Sequence, residues 1–542
     1  MRHALKKRAG VMVIVATPRE GTQSTQFRPG TSLAEPALTR KALGTPVNPR
    51  TIALYAAALA ISTVSPIAWA QSKPPADEEE HKSDKTDEDK GEPAEPTPAP
   101  KPEPFRSVPS RFELTPYGLL QAQTTSDSTQ SFQHGQGNSA IVRSNTYAGQ
   151  HGRLTMTPRN TIVGFRVKTP EWHSMVASAR VEVDFEGAPP TNPPGNALVG
   201  SSESSYLTAG PMRVRQAYAL LESPYVDFLA GQTQQLFGWG PIFYVNSTNN
   251  LGIPGHAFGR EFQLKLSHTF KTSGVDLEIA AGAFRPPQRD SQIPDGQAGL
   301  RLAVNPWKGI QNGNKVVPLQ VALSGTARTF RVQGTNIASA TAMPPLQVQS
   351  YTESGAGIAI DAFIPVIPAD DATKPGNTLS LVGEFAKGYG ISDLYQTLSF
   401  GLPTQTLALP LNAATYTPPT NLSLDNGIVV FDPNGFLHAV NVQSYIVNLQ
   451  YVLPGPLDMV GLSGIYSYLE SDNIDQLVSP KEKTAGSNTK IFVKMQYVEG
   501  NLNVFVTPPL RLSFAYCNTL QTFLDGGQET NHRLIFKVNY AF

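Results

Sequence analysis

The last ten residues, RLIFKVNYAF, alternate without a break. Leu534, Phe536, Val538, Tyr540 and Phe542 share one face, and Arg533, Ile535, Lys537, Asn539 and Ala541 share the other. Successive side chains of a strand point to opposite sides, so such a segment serves two different environments at once. The pattern recurs from Phe112 onward, where helical periodicity is scarce. In FQLKLSHTF, Phe262, Leu264, Leu266, His268 and Phe270 oppose Gln263, Lys265, Ser267 and Thr269. In SYIVNLQYVL, Tyr445, Val447, Leu449, Tyr451 and Leu453 oppose Ser444, Asn448 and Gln450. In KIFVKMQYV, Ile491, Val493, Met495 and Tyr497 oppose Lys494 and Gln496. About sixteen strands are predicted from this pattern. They lie near 112–123, 153–168, 174–186, 213–222, 225–235, 259–270, 275–285, 297–304, 318–331, 351–364, 378–388, 442–453, 458–469, 489–499, 510–519 and 533–542.

The connections carry a further rule. They run long, then short: 124–152 then PEWH, 187–212 then SP, 236–258 then KTSG, 286–296 then a medium turn at 305–317. Later, 389–441 is followed by PGPL, and 470–488 by a turn at 507–509. A soluble sandwich has no reason to alternate in this way, whereas a membrane barrel has tight turns at one end and long loops at the other. In hydrocarbon every backbone donor and acceptor must be paired, so a sheet spans only when closed. The predicted fold is therefore all-β, a transmembrane antiparallel barrel over 105–542. The final strand is expected to pair with the first, so that the chain stops where the barrel closes. With the first strand rising from the periplasm, Phe270, Tyr451, Tyr497, Tyr540 and Phe542 fall near the periplasmic ends. Phe262, Tyr466, Tyr468 and Tyr516 fall near the outer ends, giving two aromatic girdles against outer-membrane lipid.

Composition removes other classes. The 43 basic and 43 acidic side chains of the 542 residues cancel, which argues against a nucleic-acid partner held by phosphate neutralisation. The single cysteine, Cys517, rules out an internal disulfide and a multi-cysteine metal site, and no metal or cofactor is expected. The N-terminal part reads differently. Residues 1–44 carry no readable structure and fit an over-called start. Within 45–70, basic Arg50, the apolar run Ile52 to Ile61 and the small-residue site Ala68-Trp69-Ala70 read as a secretory signal. Residues 71–104, a mixed-charge run and then a Pro-rich one, read as a disordered periplasmic linker.

Charges on the inward parity point to transport. RVEVDFEG sets Arg180, Glu182, Asp184 and Glu186 opposite Val181, Val183 and Phe185. GFRVK places Arg166 and Lys168 together, MRVRQAYALL places Arg213 and Arg215 together, and later strands add Lys265 and Arg301. An Arg or Lys on the lipid face near the midplane costs roughly 2–4 kcal/mol, so these should line a water-filled lumen. There they either brace the wall as ion pairs or select among charged solutes. The Gly-rich aromatic connection with Phe237, Trp239, Phe243 and Tyr244 either folds into the barrel or packs on its rim. Arg260 and Glu261 close it as candidate constriction charges.

The segments GRLTMTPRNTIVGFRVK, ARVEVDFEG, VRQAYALL and DFLAGQTQQLFG resemble the first half of Gram-negative porins, most closely the DcaP-like branch. NVFVTPPLRLSFAYCNTLQTFLDGG and HRLIFKVNYAF resemble that branch's last two strands. The resemblance implies a trimeric, sixteen-stranded passive channel whose third extracellular loop folds inward. It also implies a terminal aromatic, here Phe542, read by the barrel-assembly machinery, and a preference for small anionic solutes. Arg166, Arg180, Arg213 and Arg215 match the basic wall positions, although Glu182, Asp184 and Glu186 lie beside them. The 389–441 loop departs from the branch.

The sequence leaves two other readings to consider. An enzyme would need a nucleophile and base; His134, His151, His173, His256 and His268 are present, but no GxSxG elbow or HExxH accompanies them. An adhesin or structural anchor would use the 389–441 loop and the linker. The reading favoured is a porin for passive diffusion of small hydrophilic solutes, as a homotrimer in a Gram-negative outer membrane.

Overall fold

A computed structural model describes residues 112–187, 207, 210–239, 252–288, 291–311, 315–336, 347–369, 376–402, 424–433 and 436–542. The N-terminal extension, signal and linker predicted over 1–104 lie outside the described residues.

The alternating segments form β1 (Glu113–Asp127), β2 (Arg153–Thr157), β3 (Ile162–Lys168), β4 (Val176–Asp184), β5 (Arg213–Glu222), β6 (Asp227–Gln234), β7 (Arg260–Lys271) and β8 (Val275–Phe284). The chain continues through β9 (Asp295–Gln311), β10 (Lys315–Asn336), β11 (Gln347–Ile367) and β12 (Thr378–Tyr389). A short hairpin, β13 (Val429–Phe431) and β14 (Leu437–Ala439), precedes β15 (Asn441–Val452), β16 (Val460–Glu470), β17 (Phe492–Thr507), β18 (Leu510–Phe523) and β19 (Gln528–Ala541). Around the ring successive strands pair antiparallel, β12 pairing with β15 across the hairpin, whose two strands pair with each other. β2 and β3 both pair with β1 and act as one stave, interrupted at Pro158, which cannot donate to the ladder. The ring is closed by β1 against β19, from Leu119 opposite Ala541 to Asp127 opposite Arg533. The result is a closed barrel of sixteen staves with no free edge.

The strands match the sequence expectation in number and order, with two corrections at the connections. The expected turn at 305–317 is mostly strand. β9 runs on to Gln311, β10 begins at Lys315, and a register shift at Pro318/Leu319 accommodates the proline within the ladder. The last connection at the long-loop end is tight, because β18 and β19 extend to leave only residues 524–527. Gly526 supplies a positive φ of 80° there.

Side-chain parity separates two surfaces. Leu264, Leu266, Leu300, Ile358, Leu449, Phe514 and Leu534 project outward and are exposed in the isolated chain, as a lipid-facing wall requires. Of the terminal strand, Leu534, Tyr540 and Phe542 are exposed, whereas Arg533, Ile535, Lys537 and Asn539 are buried inside. β17 reverses the simple expectation: Tyr497 and Met495 face inward and are fully buried, so Tyr497 is not a girdle residue. Their side of β17 meets apolar loop segments within the barrel, so apolar character there marks an interior contact rather than lipid.

The core sits inside the barrel's long-loop half. Loop 1 (128–152) and the described parts of loop 3 (235–259) and loop 6 (390–440) enter the ring, burying Phe237, Ala257, Ile391, Leu394, Tyr395, Leu398 and Phe400 against inward residues of β11, β12, β15 and β17. They also lock one another. Asn138 donates to the Gln396 carbonyl at 2.7 Å and accepts from Gly255 N–H at 2.7 Å. Gln235 donates to the Leu394 carbonyl at 3.1 Å, and loop 1 is tied to the wall where Ile141 N–H donates to Gln521 of β18 at 2.6 Å.

Candidate functional site

The wall of β3, β4 and β5 carries a ladder of charge. Arg166 is opposite Arg180, and Glu182 is opposite Gln216. A register shift after Glu182 then turns both Arg213 and Arg215 inward beside Asp184. Arg213 forks Asp184 through Nε at 3.0 Å and Nη2 at 2.7 Å. Arg215 reaches Glu182 at 2.7 Å and Asp184 at 2.9 Å. Arg180 donates to Glu182 at 2.6 Å and to the Tyr117 hydroxyl at 2.5 Å, while Tyr117 itself donates to Glu182 at 3.0 Å. The carboxylates lie beneath the guanidiniums: Asp184 is wholly buried, whereas the Arg213 side chain is 31% exposed. Arg166 and Lys168 are exposed outright, and the Arg166 guanidinium stacks over the Tyr117 ring at 4.6 Å. What faces the open lumen is therefore basic, although both signs are present in the sequence. Glu186 is drawn aside by His134 of loop 1, at 2.5 Å.

A second basic pair lies on β7 and β9. Arg301 pairs with Glu278 on β8 and lies 4.7 Å over the Trp239 ring; Lys265 lies 6.0 Å from the same ring. Trp239 thus carries the start of loop 3 inward across this wall, and Phe237 beside it is fully buried against the segment that begins loop 6. Phe243 and Tyr244 lie outside the described residues. The two closing charges separate. Glu261 takes the inward parity and accepts from Gln297 at 3.1 Å, whereas Arg260 is on the opposite parity with its guanidinium 5.0 Å over the Phe258 ring.

The most heavily built polar node was not singled out from the sequence. Arg328 on β10 is fully buried, with Nε on Asp295 at 2.8 Å and both Nη atoms on Asp393 at 2.6 Å each. Its Nη1 also reaches the Gly390 carbonyl at 3.2 Å. Next along the wall, Glu384 on β12 accepts from Ala257 N–H at 2.8 Å and faces His256 at 3.2 Å, with Asp361 directly across in register. Tyr395, at the heart of loop 6, bonds Ser444 at 3.0 Å. Burial and the nearby Glu384 charge push the Tyr395 hydroxyl well above its ordinary pKa. Inward parity within TARTFRV would have placed Arg328 inside. Its partner Asp393 lies in a loop, where periodicity gives no direction. Among the described residues no group of three or more metal-ligating side chains converges.

Comparison with known proteins concerns architecture. No family model matches the chain, and no curated protein matches it. Among solved structures, the outer membrane channel DcaP of Acinetobacter baumannii superposes with a TM-score of 0.52 at 15% identity, covering 81% of this chain and 99% of that one. An anion-selective porin from Comamonas acidovorans gives 0.43 at 8% identity over 80% and 100% of the two chains. OprB of Pseudomonas putida gives 0.41 at 11% identity over 80% and 94%. The chain has the fold of the DcaP channel, here a closed antiparallel barrel of sixteen staves.

Proposed function

We propose that this protein is an outer-membrane porin through which small hydrophilic solutes diffuse passively, with anions preferred. The observation that carries the reading is the asymmetry of the β3–β5 wall. Its carboxylates are buried under arginine while Arg166, Lys168, Arg180 and Arg213 keep contact with the lumen. Exposed positive groups along an aqueous path raise the local concentration of anions. The closed ring with apolar outer and polar inner parity supports a membrane site, and the likeness in fold to the DcaP channel supports a channel rather than an enzyme. Export by the 45–70 signal, assembly guided by Phe542 and association as a trimer complete the reading. Described parts of loop 6 pack inside the barrel, which favours a role within the channel over one as an exposed adhesin.

The test is planar-bilayer conductance of the purified protein, with reversal potentials in a salt gradient. Ohmic steps in groups of three, with a reversal potential on the anion side, are expected. A silent bilayer would sink the proposal. Arg166→Glu with Lys168→Glu should move the permeability ratio toward cations, since both residues are exposed and neither belongs to the buried carboxylate clamp. An unmoved ratio would show that this wall does not select.

A further inference from the structure

We propose that the first part of loop 6, residues 390–402, positioned by Arg328, sets the size limit of the channel. The inference rests on the channel reading above and assigns the limiting contact to a loop other than the one expected to fold inward. Three observations carry it. The segment 390–402 lies in the lumen as an apolar knuckle in which Ile391, Leu394, Tyr395 and Phe400 are wholly buried. A charged side chain of the wall, Arg328, grips the start of this knuckle. Arg328 holds Asp393 with a two-pronged fork and the Gly390 carbonyl besides, while its third edge is anchored to Asp295 on the wall. Loop 3 then leans on the knuckle, through bridges from Ala257 and Phe258 to Tyr395 and the Gln235 hydrogen bond to the Leu394 carbonyl. A guanidinium presents parallel donors that a carboxylate matches in one orientation, so it fixes both position and angle. Arg328 is therefore a positioning residue. Releasing it frees loop 6 first, and loop 3 loses a support as a result.

The experiment compares wild type with Arg328→Ala, Arg328→Lys and Asp393→Asn in the full chain, after heat-modifiable migration has shown each barrel intact. Single-channel conductance and liposome swelling with neutral sugars of increasing size are read together. In parallel, Leu394→Cys in a Cys517→Ser background is treated with a small membrane-impermeant thiol reagent, with and without Arg328→Ala. The expected result is a conductance at least doubled in Arg328→Ala, entry of larger sugars, and labelling of Cys at position 394 at least tenfold faster. Arg328→Lys, which keeps the charge but not the fork, should fall between. If Arg328→Ala fails to fold, Asp393→Asn, which removes the charge opposite the fork at nearly constant shape, carries the same expectation. Unchanged conductance and sugar cut-off in a folded variant overturn the proposal, and so does faster labelling without a change in cut-off. Should wild type itself be silent, the channel reading falls, and with it the claim about size. The labelling arm then still decides whether Arg328 holds the loop.

Discussion

Two walls of this barrel carry the same device in different surroundings. On β4–β5, Arg213 forks Asp184; on β19–β1, Arg533 forks Asp127 through Nε at 2.7 Å and Nη2 at 2.9 Å. Both pairs sit on inward parity. The Arg213 side chain nevertheless keeps 31% of its exposure, whereas Arg533 keeps 1%, because loop 1 lies over it and its Nη2 also donates to the Gln133 carbonyl at 2.7 Å. Strand parity puts a charge inside, and loop cover then decides whether it meets solute or only protein. The open wall can act on what passes, while the covered wall can only hold the barrel shut at its seam.

The largest effect that would sharpen this contrast is on stability. Asp127→Ala leaves Arg533 buried without its carboxylate and should cost about 3–5 kcal/mol. Asp184→Ala leaves arginines that can turn to lumen water and should cost clearly less. Urea unfolding in lipid vesicles reads both, and equal losses would break the comparison. Outward positions should not distinguish the walls. Phe536→Arg beside the covered seam and Val181→Arg behind the open wall should each cost roughly 2–4 kcal/mol, by the same unfolding measurement. A large difference between them would place one wall away from lipid. Smaller again, Tyr117→Phe removes a hydroxyl bonded to both Arg180 and Glu182 and should cost about 0.5–1.5 kcal/mol. It should also leave Arg180 freer, visible as a modest change in permeability ratio.

The smallest expected effect lies at the tight final turn. Burial there would raise the Asp525 carboxyl, but the Gly527 N–H and the Arg143 guanidinium outweigh it and hold it below the usual aspartate value. A depressed carboxylate adds stability that is present above the ordinary aspartate pKa of about 3.9 and is lost as pH falls through the lowered value. Protease nicking of loop 1 should therefore rise only below about pH 4. Asp525→Asn should bring that sensitivity to neutral pH.

The fold was largely legible because two independent signals agreed. Alternation in FQLKLSHTF or RLIFKVNYAF names the strand and its two faces, and the long-short rhythm of the connections names the end of the barrel. Alternation fails where its premise fails, as at β17, since an apolar face identifies lipid only when the barrel interior is wet. Met495 is buried in the cluster that holds the loop 6 residues, and Tyr497 in one that includes Ile253 of loop 3, so neither meets water. The expected turn at 305–317 shrank because β9 and β10 run on through it, with a register shift at Pro318/Leu319 accommodating the proline. The charged wall could be placed by parity, from Arg166 through Arg215. Its net character could not, because Glu182 and Asp184 read as the equals of their neighbours until their burial was seen.

Local pattern thus determined the class, the strand order and, β17 apart, which side of the strands meets lipid, down to the Phe542 end. That strand closes on β1 with reciprocal backbone bonds between Phe542 and Gly118, at 3.1 and 2.9 Å, and a Cβ at Gly118 would strike the Phe542 ring. The arrangement of the lumen was decided only in three dimensions. Loops lack the period that gives a strand its direction, and the contacts that draw them inside join residues far apart in the chain. Arg328 and Asp393, 65 positions apart, become partners only once sixteen strands have closed around them.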